Sequence, residues 1–385
     1  MIWNKEIECA SRKTIKDLQW ERLKATVTRV YENVPFYRER LEEAGLRPDQ
    51  LRSFEDFRRL PFTTKEDLRQ NYPYKLFAAP AKKIVRLHAS SGTTGKPTPV
   101  GYTRADLEMW SECVARLVCM AGACEDDIAQ ISFGYGLFTG AMGLQQGLEK
   151  IGAAVIPISS GNTEKQIMIM RDFGTTILIS TPSYALYMAE ALQYMGVRRE
   201  ELKLRLGLFG AEGHTLAMNQ EIENRWGILA TENYGLSEIV GPGVSGECDR
   251  QTGLHFNEDC FLPEIVRPET GEPLPLGEEG ELVITTLSKE AFPLLRYRTR
   301  DITSLFEGAC SCGRTSLRMR KIKGRSDDML IIKGVNVYPS QVESVILGME
   351  HISPYYQLVV SKKGYADALE VQVEMVDDSL IEKYS

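Results

Sequence analysis

Residues 152–190 read GAAVIPISSGNTEKQIMIMRDFGTTILISTPSYALYMAE. A short apolar run, GAAVIPIS, gives way to TEKQIMIMRDFG, which reads as a helix. TTILIST is a second strand-like run, and PSYALYMAEALQYMG reads as a helix with Pro182 near its start. Proline suits the first turn of a helix, where its missing N–H has no partner to lose. LRLGLFG, ending at Gly210, repeats the strand signal. Strands and helices alternating in this order predict a parallel sheet with helices on its faces.

Upstream, IVRLHA (84–89) reads as a strand and DLEMWSECVARLVCMAG (106–122) as a helix. Residues 15–75 read as helices. Trp20, Leu23, Val27, Val30, Tyr31 and Val34 form one apolar stripe, closed by Asn33 and Pro35. SFEDFRRL and TTKEDLRQ follow, the latter with a cap threonine and a downstream acid. Beyond Gly253 the texture becomes strand-rich. CFLPEIVRP and ELVITTL flank the turn ETGEPLPLGEEG and predict an antiparallel subdomain. In GRSDDMLIIKGVNVYPSQVESVIL (324–347) a strand leads through Gly334 and Pro339 into a helix from about Gln341. YYQLVVSKKG and ALEVQVEMV are two further strands, so the C-terminal part reads as a small α+β domain.

At 385 residues the chain has room for two or three domains. Hydrophobic residues at 43% and charged residues at 26% are ordinary for a globular protein. A net charge of −7 argues against a nucleic-acid partner. No apolar run approaches the roughly 18 residues of a membrane span. The opening MIWNKEIECASRKT lacks a signal-type apolar core, which predicts a cytoplasmic protein.

Among eight cysteines, Cys9, Cys113, Cys119 and Cys124 have no metal-like spacing. Cys310 and Cys312 form a C-x-C pair in EGACSCGRT, and Cys248 and His255 sit together in GECDRQTGLHFNEDC. Three sulfurs and an imidazole can complete a tetrahedral zinc site, or be four unrelated residues. Four further stretches carry polar residues of other kinds. SSGTTGK (90–96) combines hydroxyls, glycines and a lysine, as a phosphate cradle does, but its spacing is not that of a Walker A loop. It also reads as a plain polar loop. In ENYGLSEIVGPG, Tyr234 offers a flat ring for a base and Glu238 a hard ligand for magnesium. In LLRYRTRDI, Asp301 can accept from two ribose hydroxyls, and Arg325 in GRSDDMLIIKG can reach a phosphate or ribose. Each also has a structural reading. Tyr234 can be a core aromatic, Arg296, Arg298 and Arg300 one solvated face of a strand, and Asp327 and Asp328 an exposed turn.

Taken together and in order, these stretches resemble the adenylate-forming superfamily of acyl-CoA synthetases, adenylation domains and luciferases. More closely, the chain resembles the phenylacetate–coenzyme A ligase family. The resemblance runs through VPFYRERLEEAG, SSGTTGKPTPVGYT, SFGYGLFTGAMG, STPSY, LGLFGAE, YGLSEIVGPG, GLHFNED, FPLLRYRTRD and GRSDDMLIIKGVNVYPSQVE, nearly the whole chain. It implies an α/β enzyme. A large N-terminal domain (1–325) has parallel-rich sheets flanked by helices, with a helical lead-in over 1–80 and a strand-rich, zinc-type subdomain at about 245–320. A small, mobile and truncated α+β domain spans 326–385. It implies that Ser90, Ser91, Gly92, Thr93, Thr94, Gly95 and Lys96 hold the ATP phosphates. Asn233, Tyr234, Gly235, Leu236 and Ser237 border the nucleotide, with Tyr234 stacked on adenine. Asp301 binds the ribose, Glu238 the magnesium, and Arg325 lies near ribose and phosphate. Asp327 is the hinge between domains, and Gly334 borders the tunnel for the pantetheine arm of coenzyme A. Phe133, Tyr135, Gly136, Phe138 and the Gly210–Ala211–Glu212 turn wall the acyl pocket, with Tyr135 and Phe138 as its floor. Lys96, Glu238, Arg325 and Asp327 make up the catalytic set, and Cys248, His255, Cys310 and Cys312 gain weight as a closed structural zinc site.

The implied reaction converts an aryl acid and ATP to an acyl-adenylate and pyrophosphate, then passes the acyl group to the thiol of coenzyme A. No protein nucleophile is needed, and no nucleophile elbow is present. The family often forms homodimers. Two departures stand out. Gly213-His214 replace the family's Pro-Trp beside the acyl pocket, and the C-terminal lysine motif for adenylation has no counterpart around Lys383. Two other readings remain: adenylation with a carrier-protein thiol or an amine as acceptor, and an adenylate-binding module without turnover.

Overall fold

The computed structural model describes residues 1–90, 97–213, 215–328, 330–332, 335–349, 351–363 and 366–375. The predicted helical lead-in is present. Helices Arg12–Asn33, Pro35–Glu43, Phe54–Arg58 and Lys65–Gln70 follow one another, with Ser11, Ser53 and Thr64 as side-chain N-caps and Pro35 in the first turn of the second. The first buries Leu23, Val27 and Val30 against the main core. Val34 ends it because Pro35 disfavours helical backbone in the residue before it.

Strands β1 (Arg86–Ala89) and β2 (Pro99–Tyr102) pair antiparallel. Ser91–Lys96 fall between them in sequence and lie outside the described residues. Then comes the predicted alternation. β3 (Ile128–Ile131), β4 (Ala154–Ile156), β5 (Ile177–Ser180), β6 (Leu206–Phe209) and β7 (Leu229–Tyr234) form a parallel sheet in the order β7-β6-β5-β3-β4. Every residue of β5 and β6 is buried, as expected where helices cover both faces. β3 pairs with β4 on one edge and with β5 on the other. The chain therefore leaves β3 in both directions, and the crevice outside the carboxyl ends of β3 and β5 is a topological switch point, the usual place for a ligand in such a sheet.

The strand-rich stretch is antiparallel as predicted, but it is not a separate layer. β8 (Ser245–Glu247), β9 (Leu254–Phe256), β10 (Phe261–Val266), β11 (Glu279–Thr286), β12 (Tyr297–Phe306) and β13 (Arg318–Met319) continue the pairing outward from β7. The two-residue β14 (Gly324–Arg325) sets Asp301 opposite Arg325 on β12. The remaining strands form two antiparallel pairs, β15 (Leu330–Ile332) with β16 (Val335–Val337), and β17 (Ile352–Lys363) with β18 (Ala366–Met375). The helix between them begins at Pro339 and runs to Ile346, slightly earlier than the spacing predicts. None of the described helices is long and apolar enough to cross a membrane.

Candidate active site

The carboxyl ends of the parallel strands deliver several of the predicted site residues to one crevice. β3 is followed by Phe133–Phe138, β5 by Thr181 and Ser183, β6 by Gly210–Glu212, and β7 by Gly235–Glu238. Two cavities of about 620 and 1030 Å³ adjoin there, sharing Ala211, Asn233, Gly235, Leu236, Arg325 and Asp328 in their walls. Two turns are tight enough to need glycine. A Cβ on Gly235 would lie 1.7 Å from the Gly241 carbonyl oxygen, and one on Gly210 would lie 2.6 Å from the Asn233 oxygen. Ala211 adopts a φ of 70°, a left-handed conformation that stores strain in a residue with a side chain.

The smaller cavity carries Tyr234, Asp301, Glu232 and Glu212 from the large sheet, and Pro339, Ser340, Glu343, Tyr355 and Tyr356 from the C-terminal part. Tyr234 donates its hydroxyl to Asp301 Oδ2 at 2.6 Å, and Arg325 Nη1 approaches Asp301 Oδ1 at 3.3 Å. Burial pushes the Asp301 carboxyl up to about 6, while Tyr234 and Arg325 pull the other way. Arg325 also makes two bonds of 2.9 Å to Asp327 and approaches Asp328 at 3.5 Å. Glu212 accepts from the Ser183 hydroxyl at 2.7 Å.

The larger cavity is lined on one side by Phe133, Phe138, Ala141 and Leu144, and on the other by Ser90, Ser237, Glu238, Tyr297 and Asp327. Glu238 is buried, and its carboxylate has one long hydrogen bond among the described residues, from Tyr297 at 3.4 Å. A buried carboxylate so lightly engaged, facing a cavity, suits a hard cation such as magnesium. Tyr135, Gly136 and Gly210 do not line either cavity. The Tyr135 hydroxyl is buried with no partner among the described residues, so Phe138 forms that floor without it. Lys96, His214 and Gly334 lie outside the described residues.

The solvated-face reading fails for Arg296, just before β12, and for Arg298 on it, while Arg300 is partly exposed. Arg296 is buried, bonds Glu264 and donates to the Leu60 carbonyl at 2.6 Å. Arg298 pairs with the fully buried Glu281, and Arg300 turns toward the larger cavity. The cause is position: β12 lies inside the sheet, and the lead-in covers it through Thr63, whose N–H bonds the Arg296 carbonyl.

Cys248, His255, Cys310 and Cys312 do come together, with all candidate ligand atoms within 4.8 Å of one another. Cys248 Sγ lies 3.8 Å from Cys310 Sγ, and Cys312 Sγ lies 3.5 Å from His255 Nε2. A tetrahedron with ordinary Zn–S and Zn–N bonds has edges of about 3.8 Å between sulfurs and about 3.6 Å from sulfur to nitrogen. The other imidazole nitrogen of His255 meets the Ser316 hydroxyl at 3.0 Å, which orients the ring. Burial pushes the imidazole down to about 3, so it is neutral and able to ligate. The residues present fit zinc.

The chain matches the family model for AMP-binding enzymes over residues 11–288 and that for the C-terminal domain of AMP-binding enzymes over 334–385. It is 52% identical over 376 residues to a phenylacetate–coenzyme A ligase of Thermus thermophilus, covering 97% of this chain and 84% of that one. This chain belongs to the phenylacetate–coenzyme A ligase family. Its fold is that of the adenylate-forming enzymes. A solved 2-hydroxyisobutyryl-CoA ligase, in the postadenylation state with an acyl-AMP, superposes with a TM-score of 0.92 at 26% identity, covering 99% of this chain and 82% of that one. The same enzyme in the thioesterification state gives 0.81, covering 100% of this chain and 84% of that one. The chain as a whole therefore superposes better on the postadenylation structure than on the thioesterification one. Sequence reasoning missed Leu144, Tyr297 and Arg300 as lining residues, and Glu343, Tyr355 and Tyr356 from the C-terminal part. Only Tyr297 and Arg300 carried a signal, being neighbours of Asp301 in LLRYRTRDI.

Proposed function

We propose that this protein activates a phenylacetate-like aryl acid with ATP and transfers the acyl group to coenzyme A. The observation that carries this reading is the junction of two unlike cavities at the switch point. One offers Tyr234 and Asp301 to a nucleoside, the other an apolar wall at Phe133, Phe138, Ala141 and Leu144 to a flat acid, with Glu238 bordering the second. A carboxylate oxygen of the acid attacks the α-phosphorus of ATP, and pyrophosphate leaves. The sulfur of coenzyme A then attacks the acyl carbon, AMP leaves, and the thiol proton passes to water. Asp301 holds the ribose through its hydroxyls, and the Tyr234 ring stacks on the base. Arg325 and Lys96 supply positive charge near the phosphates, and burial of the acyl group excludes water from the mixed anhydride.

Glu238 would hold magnesium, which when bound stabilises charge on the departing phosphate oxygens. Cys248, His255, Cys310 and Cys312 would hold one structural zinc, which contributes folding free energy and leaves no open position. Residues 1–325 act as one domain and 326–385 as a second that turns about Asp327 between the half-reactions. The protein acts in the cytoplasm as a homodimer, which sedimentation equilibrium checks. The deciding experiment measures pyrophosphate release with ATP and magnesium over a panel of carboxylic acids, with and without coenzyme A. Phenylacetate should outpace acetate and long-chain fatty acids, and the thioester should form only when coenzyme A is present. Faster turnover of an aliphatic acid would overturn the aryl assignment. Thioester formation only on a carrier protein would move the acceptor.

A further inference from the structure

Lys289, in the loop between β11 and β12, is one of the largest fully buried side chains of the protein, at 1% exposure. Among the described residues it has no carboxylate within ion-pair distance. Its ammonium instead donates to the carbonyls of Ile239 at 2.6 Å and Glu238 at 3.2 Å. It lies 4.9 Å from the ring centre of Tyr102 and 5.3 Å from that of Phe292. A buried ammonium costs several kcal/mol unless its surroundings compensate. A methionine would fill this space without that cost, so the donors of the lysine need a reason.

The reason lies in the segment they grip. Residues 235–243 fold back on themselves, with the amides of Ile239, Val240 and Gly241 all donating to the Leu236 carbonyl. That leaves the outward carbonyls without partners inside the segment, and side chains from behind take them one by one. Lys289 takes 238 and 239, Tyr102 takes 240 at 3.2 Å, Trp110 takes 242 at 2.8 Å, and Asn257 takes 243 at 2.8 Å. Lys289 is itself fixed, because the fully buried Asp106 accepts from the amides of Glu290 and Ala291 at 2.6 and 3.0 Å. The Glu238 side chain borders the larger cavity while its own carbonyl is held on the opposite side.

We propose that Lys289, backed by Tyr102, is a positioning residue for Glu238, gripping the backbone of residues 238 and 239 so that the carboxylate meets magnesium-bound nucleotide at a fixed place. This rests on the reading above that Glu238 is the magnesium ligand. Magnesium demands near-ideal octahedral geometry at about 2.0–2.1 Å, so a small drift of one carboxylate weakens the site. The C-terminal part supplies none of these contacts, and the thioester step does not need pyrophosphate or its metal. The grip therefore acts on the first half-reaction.

The test compares wild type, Lys289→Met and Tyr102→Phe as full-length protein. Manganese, a paramagnetic stand-in for magnesium, is titrated in the presence of a non-hydrolysable ATP analogue and followed by electron paramagnetic resonance. Lys289→Met should weaken manganese binding fivefold or more, with metal-free nucleotide affinity within twofold. Tyr102→Phe keeps the ring under the ammonium and loses only the bond to Val240, so it should weaken manganese about twofold. In kinetics, the magnesium concentration for half-maximal adenylation should rise, while thioester formation from preformed aryl-adenylate stays within twofold. Unchanged manganese affinity in folded Lys289→Met would overturn the proposal, as would equal loss in both half-reactions, which is what general loosening gives. If Lys289→Met does not fold, Tyr102→Phe decides, and wild-type manganese affinity there overturns the proposal. A wild type that releases no pyrophosphate with any acid sinks the functional reading alone, because the manganese comparison needs only nucleotide and metal.

Discussion

Asp301 is buried, yet as the proposed ribose ligand it would have to be ionised to accept two hydroxyls. Burial raises its pKa from 3.8 to about 6. A carboxyl whose folded pKa lies above its unfolded value stabilises the fold most when protonated. That contribution is complete below pH 3.8 and is lost as pH rises through about 6. Nucleotide binding runs the other way, because only the ionised form accepts both hydroxyls. ATP affinity should therefore fall about tenfold per unit as pH drops below 6, as two-state protonation requires. Calorimetric titration between pH 5 and 8 would show it. Asp301→Asn should flatten that profile and weaken ATP by about 1.5–3 kcal/mol, the range for hydrogen bonds to a charged group. Tyr234→Phe should cost about 0.5–1.5 kcal/mol of ATP affinity and move the midpoint up, since the hydroxyl stabilises ionised Asp301. At this scale the sequence was informative about which polar residues to group: Tyr234 and Asp301, 67 positions apart, meet in a hydrogen bond. It was silent where orientation decides. Nothing in FGYGLFTGA tells that Phe138 faces a cavity while the Tyr135 hydroxyl is buried away from it.

The elements around the site are joined by charges that the sequence shows but does not pair. Asp259 accepts from Arg116 of the core helix Arg104–Ala121 at 2.8 Å and from Arg22 of the lead-in helix at 3.2 Å. Arg116 and Asp259 are both nearly inaccessible, at 4% and 3% side-chain exposure. Arg116 keeps Glu112 at 3.2 Å when Asp259 is removed, so its charge stays partly paired, and Asp259→Ala should lose about 1.5–3 kcal/mol in denaturant unfolding, the range for hydrogen bonds to a charged group. A loss under 1 kcal/mol would mean that water reaches Arg116. The cysteine–histidine cluster joins elements in the same way. It links the end of β8, strand β9 and the loop before β13, and the N-terminal segment wraps that loop through Arg314–Glu8 and Thr315 N–H to the Glu8 carbonyl. Protein purified without added metal should carry about one zinc per chain. Cys310→Ser should lose it and lower the Tm by about 5 °C or more, a shift that a few kcal/mol produces in a domain of 150–250 residues. Metal analysis beside a thermal melt checks both. The parallel half of the sheet was legible because each strand and helix carries its own period. The outer half was only partly so. β8, β9 and β13 are two or three residues long, too short for any pattern, yet they tie the antiparallel strands to β7.

Across the whole molecule, Arg325 joins the nucleotide side to the proposed hinge. One guanidinium reaches Asp301 in the large sheet and Asp327 just beyond it. Asp327 sits in the turn closed by the Asp328 amide on the Arg325 carbonyl. The Arg325–Asp327 pair is half-exposed, at 33% and 52%, and such pairs are worth about 0.2–1 kcal/mol. Asp327→Ala should therefore change the ratio of the two half-reaction rates by no more than about fivefold. Proline acts differently. At this turn position it fixes φ, removes the N–H and restricts Ser326 before it. A rotation between poses must be absorbed by the φ and ψ angles of a few residues, and a locked φ takes one of them away. Asp327→Pro should slow thioester formation from preformed aryl-adenylate tenfold or more, while ATP affinity changes by less than about threefold, because Tyr234 and Asp301, the proposed nucleotide ligands, sit on β7 and β12 of the large sheet. Timing each half-reaction separately by rapid quench gives both numbers. Equal slowing of both steps would mean that the turn is a fixed part of the adenylation site. No slowing of either would place the pivot elsewhere, with the residues around Lys323 and Gly324 as the next positions to stiffen.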